Sequence, residues 1–220
     1  MNEQEIAAIV AKVVAEQLGK GGCYQAENED ALIPVGISNR HIHLSQEDFE
    51  TLFGAGATMT HFKDLSQPGQ FACQEVMTIV GPGGAIERVR LLGPARKQTQ
   101  VEVSVADCFK LGIKAPLRDS GDLAGSAPIT IVGPKGSVNI PEGCIIALKH
   151  IHMHTDDAAR LGLKDRDHVN VQTCGERNLM FQEVLIRVSD KFKLEMHVDM
   201  DEANAASLSN GDKVRIVGKC

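Results

Sequence analysis

The first twenty residues of the chain carry a stripe of aliphatic side chains that recur at every third or fourth position. This spacing predicts an amphipathic helix over residues 2–18, and the glycines and polar residues after it predict a flexible linker over residues 21–32. The helix either docks on its own domain or binds another protein, and an exposed stripe would favour a homo-oligomer. The stripe consists of Ile6, Ile9, Val10, Val13, Val14 and Leu18.

After Ile33 the pattern changes to short runs of valine and isoleucine, separated by glycine-rich turns. Regularly spaced short strands are typical of a mainly β protein made of compact barrels, and not of a doubly wound α/β sheet. Examples of the predicted strands are Val76–Val80, Arg88–Leu92, Gln100–Val105, Ile129–Val132, Val169–Thr173, Glu183–Val188, Lys193–Val198 and Lys213–Val217. The predicted helices are Gln46–Phe53, Val105–Leu111, Asp156–Leu161 and Glu202–Ser207, with Ser45 and Thr155 at or near two N-caps.

The sequence also contains an internal repeat. Residues 39–45 (NRHIHLS) match residues 148–154 (LKHIHMH), and residues 96–103 (RKQTQVEV) can be aligned with residues 191–198 (KFKLEMHV). This repetition predicts two duplicated β-barrel domains related by a pseudo-two-fold axis, with short capping helices. We place the first barrel at residues 40–147, with a longer loop around Thr60–Gln74, and the second at residues 148–220.

The amino-acid composition argues against several classes of protein, including nucleic-acid-binding, membrane-spanning and secreted proteins. The 220 residues carry a net charge of −6, and only 4% are aromatic, with no tryptophan, which argues against a nucleic-acid-binding surface. The six cysteines include no C-x-x-C pair, which favours reduced thiols in a cytoplasmic protein. No apolar run approaches the ~18 residues that a membrane-spanning helix needs, and the N-terminus does not resemble a secretory signal.

The histidine pattern is the main chemical signal. His41 and His43 form one H-x-H string, and His150 and His152 form a second at the duplicated position. Residues i and i+2 of a strand face the same side, so each string presents two imidazoles that can bind one divalent metal ion. Two such strings at matched positions are a much stronger signal for a metal than either alone.

The repeat supplies a third ligand for each pair, because Glu102 in the first half aligns with His197 in the second. Two sites with nitrogen and oxygen ligands and open positions suit catalytic Zn²⁺, or Co²⁺, Mn²⁺ or Fe²⁺, two ions per chain. His154 is interpreted as a surface residue near a helix start, and His61 and His168 as structural. The predicted ligand sets are His41, His43 and Glu102, and His150, His152 and His197.

Two further residues are candidates for binding an anion. Arg96 follows Gly93-Pro94 on a turn that leads into the strand of Glu102, and such a turn can direct a guanidinium towards an anion held at the metals. A solvated surface arginine is the alternative. Ser120 lies in a tight polar turn and could donate a hydrogen bond to a phosphate.

Taken together, these residues resemble the phosphate propanoyltransferases of the propanediol-utilisation type, which are phosphotransacylases. The resemblance runs from about Ile33 to Val217, with Lys149 and His154 at positions where the family usually has arginine and serine. The matching segments are residues 38–45 (SNRHIHLS), 90–94 (RLLGP), 116–121 (PLRDSG), 150–153 (HIHM) and 194–205 (LEMHVDMDEANA).

The resemblance implies two β-barrels with a two-zinc site between them, and a first strand at residues 33–39 that crosses into the second barrel. It assigns the same six metal ligands and marks Arg96 as the phosphate-binding residue. The implied reaction interconverts a short-chain acyl-CoA (propanoyl-CoA or acetyl-CoA) and phosphate with an acyl phosphate and coenzyme A. It also implies that residues 1–20 direct the enzyme into the lumen of a bacterial microcompartment by binding shell or core proteins.

Two other functions use the same residues. A binuclear metallohydrolase would hydrolyse acyl-CoA or a related ester without phosphate, and a non-catalytic shell or scaffold protein would hold structural metal without turnover. The release of CoA from propanoyl-CoA, measured with and without phosphate, separates the three.

Overall fold

The structure, a computed structural model, describes residues 32–220. The predicted amphipathic helix and nearly all of the predicted linker lie outside the described residues. Leu32, which we placed at the end of the linker, already belongs to the first strand, because it pairs with Arg215.

Fourteen strands and four short helices make up the described residues. The strands are β1 (Leu32–Ser38), β2 (His41–His43), β3 (His61–Asp64), β4 (Phe71–Gly81), β5 (Gly84–Gly93), β6 (Gln100–Glu102), β7 (Leu117–Arg118), β8 (Ala127–Val132), β9 (Ser137–Ala147), β10 (His150–Met153), β11 (His168–Gln172), β12 (Met180–Val188), β13 (Glu195–Asp199) and β14 (Lys213–Lys219). The helices are α1 (Gln46–Phe53), α2 (Val105–Leu111), α3 (Thr155–Leu161) and α4 (Met200–Ala206).

The strands close into two six-stranded barrels, which confirms the predicted fold class. The first barrel runs β2-β5-β4-β8-β9-β6, with β3 added beside β4 and β7 beside β9. The second barrel runs β1-β13-β10-β12-β11-β14. The two are built alike: β2 lies parallel to β5 and antiparallel to β6, as β10 lies parallel to β12 and antiparallel to β13.

The chain passes between the barrels twice. β1 pairs with β13 and β14 of the second barrel, and the chain then enters the first barrel at β2. It returns to the second barrel where β9 leads into β10. Each barrel therefore contains a strand that continues directly into the other barrel. In the second barrel this strand is β1, which precedes β2, and in the first it is β9, which precedes β10.

Each barrel has its own apolar core, because alternate residues of its strands point inwards. In β8, Ile129 and Ile131 are buried while Thr130 between them is only partly so. Ile33 and Val35 of β1 pack in the same way inside the second barrel. The segment 60–74, predicted as a loop, instead contains β3 and the start of β4. No helix of the described part of the chain is long and apolar enough to span a membrane.

Each helix begins just after a strand that carries predicted site residues. The N-cap residues are Ser45, Ser104, His154 and Asp199, and each accepts a hydrogen bond from a backbone N–H of its helix. The strand predicted at Gln100–Val105 therefore ends at Glu102, because the Ser104 side chain starts α2 in a capping box with Asp107.

Candidate active site

The two H-x-H strings occupy equivalent strands, and their registers bring the third predicted ligands beside them. On β2, His41 lies opposite Glu102 of β6. On β10, His150 lies opposite His197 of β13. Directly opposed residues of neighbouring strands place their side chains on the same face. The duplicated barrels thus present two equivalent clusters of side chains.

The first cluster contains His41, His43 and Glu102, all buried, with candidate ligand atoms within 4.8 Å of one another. Nε2 of His41 lies 3.4 Å from Oε2 of Glu102. Burial alone would raise the pKa of Glu102, but the neighbouring His41, His43 and Arg96 hold it well below its usual range. The cluster therefore contains a fixed negative charge at neutral pH.

Hydrogen bonds orient the imidazoles of this cluster. Nδ1 of His41 lies 2.8 Å from the carbonyl oxygen of Asn39, and Nδ1 of His43 lies 3.3 Å from that of Leu92. Because a carbonyl oxygen only accepts, Nδ1 must donate in both cases. Each ring then presents Nε2 to the cluster, as in metal-binding histidines whose other ring nitrogen is held by the backbone.

The second cluster contains His150, His152 and His197, also with candidate ligand atoms within 4.8 Å of one another. Nδ1 of His150 donates to the carbonyl oxygen of Leu148 at 2.7 Å, which repeats the arrangement of His41. Burial, together with the neighbouring His197, lowers the pKa of His150 to about 4. Burial also lowers the pKa of His152, to about 2, so both rings are neutral ligands at neutral pH.

Two buried nitrogen atoms of the second cluster make no hydrogen bond to any residue within the described range 32–220. These are Nδ1 of His152 and Nε2 of His197. A buried polar atom without a partner is costly, which makes it a natural position for a ligand. Three imidazoles in one cluster, and two imidazoles with a carboxylate in the other, are donor sets that suit a divalent ion such as Zn²⁺.

The two clusters line one cavity between the barrels. His41 and Glu102 border it from the first barrel, and His150 and His197 from the second. The clusters are close enough for the Glu102 charge to act on the pKa of His150. A ligand in this cavity can therefore contact both clusters at once.

Arg96 belongs to a hydrogen-bond network at the first cluster. Its backbone N–H donates to the carbonyl oxygen of Leu44 at 2.9 Å, and Nη1 donates to the Ser120 hydroxyl at 3.2 Å. Ser120 in turn donates to Oε1 of Glu102 at 3.0 Å, so both predicted anion-binding residues connect to a predicted ligand. Burial lowers the pKa of the Arg96 guanidinium, and the nearby Glu102 carboxylate partly opposes this.

A family model described as phosphate propanoyltransferase matches residues 34–209. The chain belongs to this family. Proteins named phosphate propanoyltransferase include one from Thermotoga maritima, 57% identical over 195 residues that cover 88% of this chain and 93% of the relative. Another, from Priestia megaterium, is 56% identical over 96% of this chain and 95% of its own length. A third, from Rhodopseudomonas palustris, is 48% identical over 100% of this chain and 99% of its own length. Membership makes this protein an acyltransferase.

Sequence reasoning missed two residues of this family member's site. Gln100 donates from Nε2 to Oε1 of Glu102 at 2.5 Å and to Ser120 at 2.9 Å. Glu195 places Oε2 2.8 Å from Nε2 of His197 and accepts hydrogen bonds from Ser66 and Gln67 of the first barrel. Gln100 lies two residues before Glu102, and Glu195 lies two residues before His197, so each is on the same strand face as a predicted third ligand. The alignment of the two halves pairs Gln100 with Glu195, but no sequence motif identifies either residue as part of the site.

The remaining histidines lie apart from the two clusters. His154 is the N-cap of α3, where its Nδ1 accepts from the Asp156 N–H at 3.2 Å. This is the place that Ser45 takes at the start of α1. His61 is exposed, with Nε2 2.8 Å from Oδ1 of Asp64, and His168 is exposed at the start of β11.

Proposed function

We propose that this protein interconverts a short-chain acyl-CoA and phosphate with an acyl phosphate and CoA, with propanoyl-CoA or acetyl-CoA as the acyl donor. The observation that carries this proposal is the shared cavity, with a three-ligand cluster on each side and Arg96 connected to one of them. An acyl transfer to phosphate needs the thioester and the phosphate side by side, and the two neighbouring clusters, with Arg96 connected to the first, offer a binding group for each.

Each cluster would hold one divalent ion, Zn²⁺ in the first instance. The fit rests on the Nε2 atoms that His41, His43 and His150 present once Nδ1 is held by a carbonyl oxygen, on the unpartnered Nδ1 of His152, and on the ionised Glu102. When bound, such ions supply Lewis-acid stabilisation for a thiolate and for a phosphate. The proposed ligands are His41, His43 and Glu102 for one ion, and His150, His152 and His197 for the other.

The protein side chains bind and orient the reactants. Arg96 would bind the phosphate through charge-assisted hydrogen bonds, which match a guanidinium to two oxygens of the anion. Ser120 accepts from Arg96 and donates to Glu102, so it holds the guanidinium in place. If the Ser120 hydroxyl gives up its hydrogen bond to Glu102, it can donate to a phosphate oxygen instead.

The chemical step requires no protein nucleophile. A phosphate oxygen attacks the thioester carbonyl carbon, the new C–O bond forms, the C–S bond breaks, and CoA leaves as the thiolate. Burial raises the pKa of Cys73 to about 11 and that of Cys144 to about 12, so both remain thiols at neutral pH. Neither is therefore suited to form an acyl-enzyme.

The release of CoA from propanoyl-CoA tests this function directly. We expect release that depends on phosphate and is accompanied by stoichiometric propanoyl phosphate. Release at an equal rate without phosphate would instead indicate a metallohydrolase, and a metal-loaded protein without turnover would indicate a structural role. The reverse reaction, from acetyl phosphate and CoA, provides an independent check.

The role of Arg96 is tested by Arg96→Ala. Removing a buried charged partner costs about 2–5 kcal/mol, which corresponds to a rise of about 30-fold or more in the KM for phosphate or an equal fall in kcat. Arg215→Ala, at an exposed position on β14, is the control and should behave as wild type. Wild-type kinetics in Arg96→Ala would show that the anion binds elsewhere.

We further propose that residues 1–20 direct the enzyme into a bacterial microcompartment of the propanediol-utilisation type. The support is the aliphatic stripe at helical spacing, which a shell or core protein could cover. A protein that lacks residues 1–20 should keep its activity and associate less, while a fluorescent protein fused to them should enter compartments. A diffuse fusion in cells that encapsulate the intact enzyme would refute this role.

A further inference from the structure

A second arginine, Arg187, lies beside the second cluster. It is on β12, directly opposite His152 of β10, so the two side chains lie on the same face of the barrel. Its guanidinium lies 5.8 Å from the centre of the Phe192 ring, and this ring lies 4.3 Å from that of His152. Arg187 is therefore packed against the cluster from the side of the second barrel.

The guanidinium of Arg187 is only loosely held. Its Nη1 lies 3.4 Å from Oδ1 of Asp119, and this buried oxygen makes no hydrogen bond within the described residues. The other oxygen of Asp119 accepts from Arg166, an exposed residue. The side chain of Arg187 is 25% exposed. A largely buried guanidinium next to an incompletely satisfied carboxylate retains N–H groups for another acceptor.

One turn of the first barrel connects both arginines. Asp119 lies beside Arg187, and the adjacent Ser120 accepts a hydrogen bond from Arg96. The two guanidinium charges are close enough to repel each other, which contributes to the lowered pKa of Arg96, although burial contributes more. Two like charges held close together beside the clusters are stabilised by an anion between them.

We propose that Arg187 is a second phosphate-binding residue, which with Arg96 binds the phosphoryl group of inorganic phosphate and of the acyl phosphate from opposite barrels. This proposal rests on the proposed function. Arginine suits the task because its planar N–H groups match phosphate oxygens in pairs. Two guanidiniums match the two negative charges of a phosphate dianion better than one.

The strand registers show that the first barrel has no arginine at the position equivalent to Arg187. Ile42 lies opposite Leu91 as Ile151 lies opposite Ile186, so Leu92 of the first barrel occupies the position of Arg187. The aligned repeat likewise places a lysine, Lys191, at the position of Arg96. Each arginine thus has a different residue at its equivalent position, as expected if the anion sits off the pseudo-two-fold axis.

The test compares Arg187→Gln with Arg166→Gln, since both arginines contact Asp119 but only Arg187 lies at the cluster. Losing a charge-assisted hydrogen bond should raise the KM for phosphate by about tenfold or more in Arg187→Gln. The KM for propanoyl-CoA should change less than about twofold, and Arg166→Gln should match wild type in both. Arg187→Lys should recover part of the affinity, because it restores the charge without the planar fork.

A direct measurement of phosphate binding makes the outcome decisive. Titration of inorganic phosphate followed by ³¹P NMR, without CoA, should show weaker binding in Arg187→Gln at unchanged metal content. An unchanged phosphate affinity in an active, folded variant would overturn the proposal, and a raised KM for propanoyl-CoA alone would assign Arg187 to the phosphates of CoA. If Arg187→Gln does not fold, Arg187→Lys decides by the same criterion. A wild-type protein without phosphate-dependent CoA release would instead refute the proposed function itself, and Arg187 with it.

Discussion

Glu202 makes the stability of the fold depend on pH in a way that one substitution should remove. Its carboxylate closes the capping box of α4 by accepting from the Asp199 N–H at 3.1 Å. Burial raises its pKa from 4.5 to about 7, and Lys149, with Nζ 3.8 Å away, compensates only in part. The equivalent pair in the first barrel is tighter, since Nε of Arg40 contacts both oxygens of Asp107 at 2.8 and 2.9 Å.

The sign and size of the effect follow from linkage. Between pH 4.5 and about pH 7 the folded protein binds a proton at Glu202 that the unfolded chain has released, so the free energy of unfolding falls as pH rises. One pKa unit corresponds to about 1.4 kcal/mol, so the full cost above both values is about 3 kcal/mol. Most of this cost arises between pH 5 and pH 8.

We expect Glu202→Gln to remove this dependence. Glutamine can still accept from the Asp199 N–H and complete the capping box. Urea unfolding, at pH 5 and pH 8, should show the variant gaining about 2 to 3 kcal/mol relative to wild type as pH rises. Contributions from the histidine clusters are the same in both proteins and cancel in the comparison. Glu47→Gln, in the first turn of α1 but exposed, is the control, and its difference from wild type should not vary with pH. If the free energy of unfolding of Glu202→Gln differed from that of wild type by the same amount at pH 5 and pH 8, the assignment of this pH dependence to Glu202 would be refuted.

Three other results are expected. Lys149→Arg should stabilise the protein at pH 8 but not at pH 5, because a guanidinium can reach Glu202 as Arg40 reaches its own partner; equal effects at both pH values would contradict this. His41→Ala should lower the metal content from about two ions per chain to about one, measured by plasma mass spectrometry with circular dichroism as the control for folding. Cys73 and Cys144 should resist a thiol reagent at pH 8 until the protein is unfolded, with activity retained, and rapid inactivation through either would contradict a mechanism without a protein nucleophile.

The fold was predictable where local signals agreed. Gln46–Phe53 and Val105–Leu111 were predicted with the bounds that the structure has, and the N-caps Ser45 and Ser104 fix where they begin. β9 was missed, since Pro141 and Gly143 interrupt its apolar pattern. β3 was missed because all four of its residues are exposed, so burial leaves no alternation in its sequence.

Only those candidate site residues that occur at matched positions of the internal repeat could be predicted from the sequence. The two H-x-H strings identify β2 and β10, and the alignment of the halves identifies Glu102 and His197, which the registers place beside them. Glu195 has no such mark, and its role depends on Ser66 from the other barrel. Arg187 was not recognisable either, because its relation to His152 follows from strand pairing across the barrel and not from spacing along the chain.

The double passage of the chain between the barrels has a consequence for how the protein is made. β1 leaves the ribosome before every other described strand, but its partners β13 and β14 are among the last to be synthesised. The second barrel therefore cannot close until nearly the whole chain is available, whereas β2, β4, β5, β6, β8 and β9 can already form the first. Until then β1 has no strand to pair with, and apolar Ile33 and Val35 stay exposed on a segment of the kind that favours aggregation.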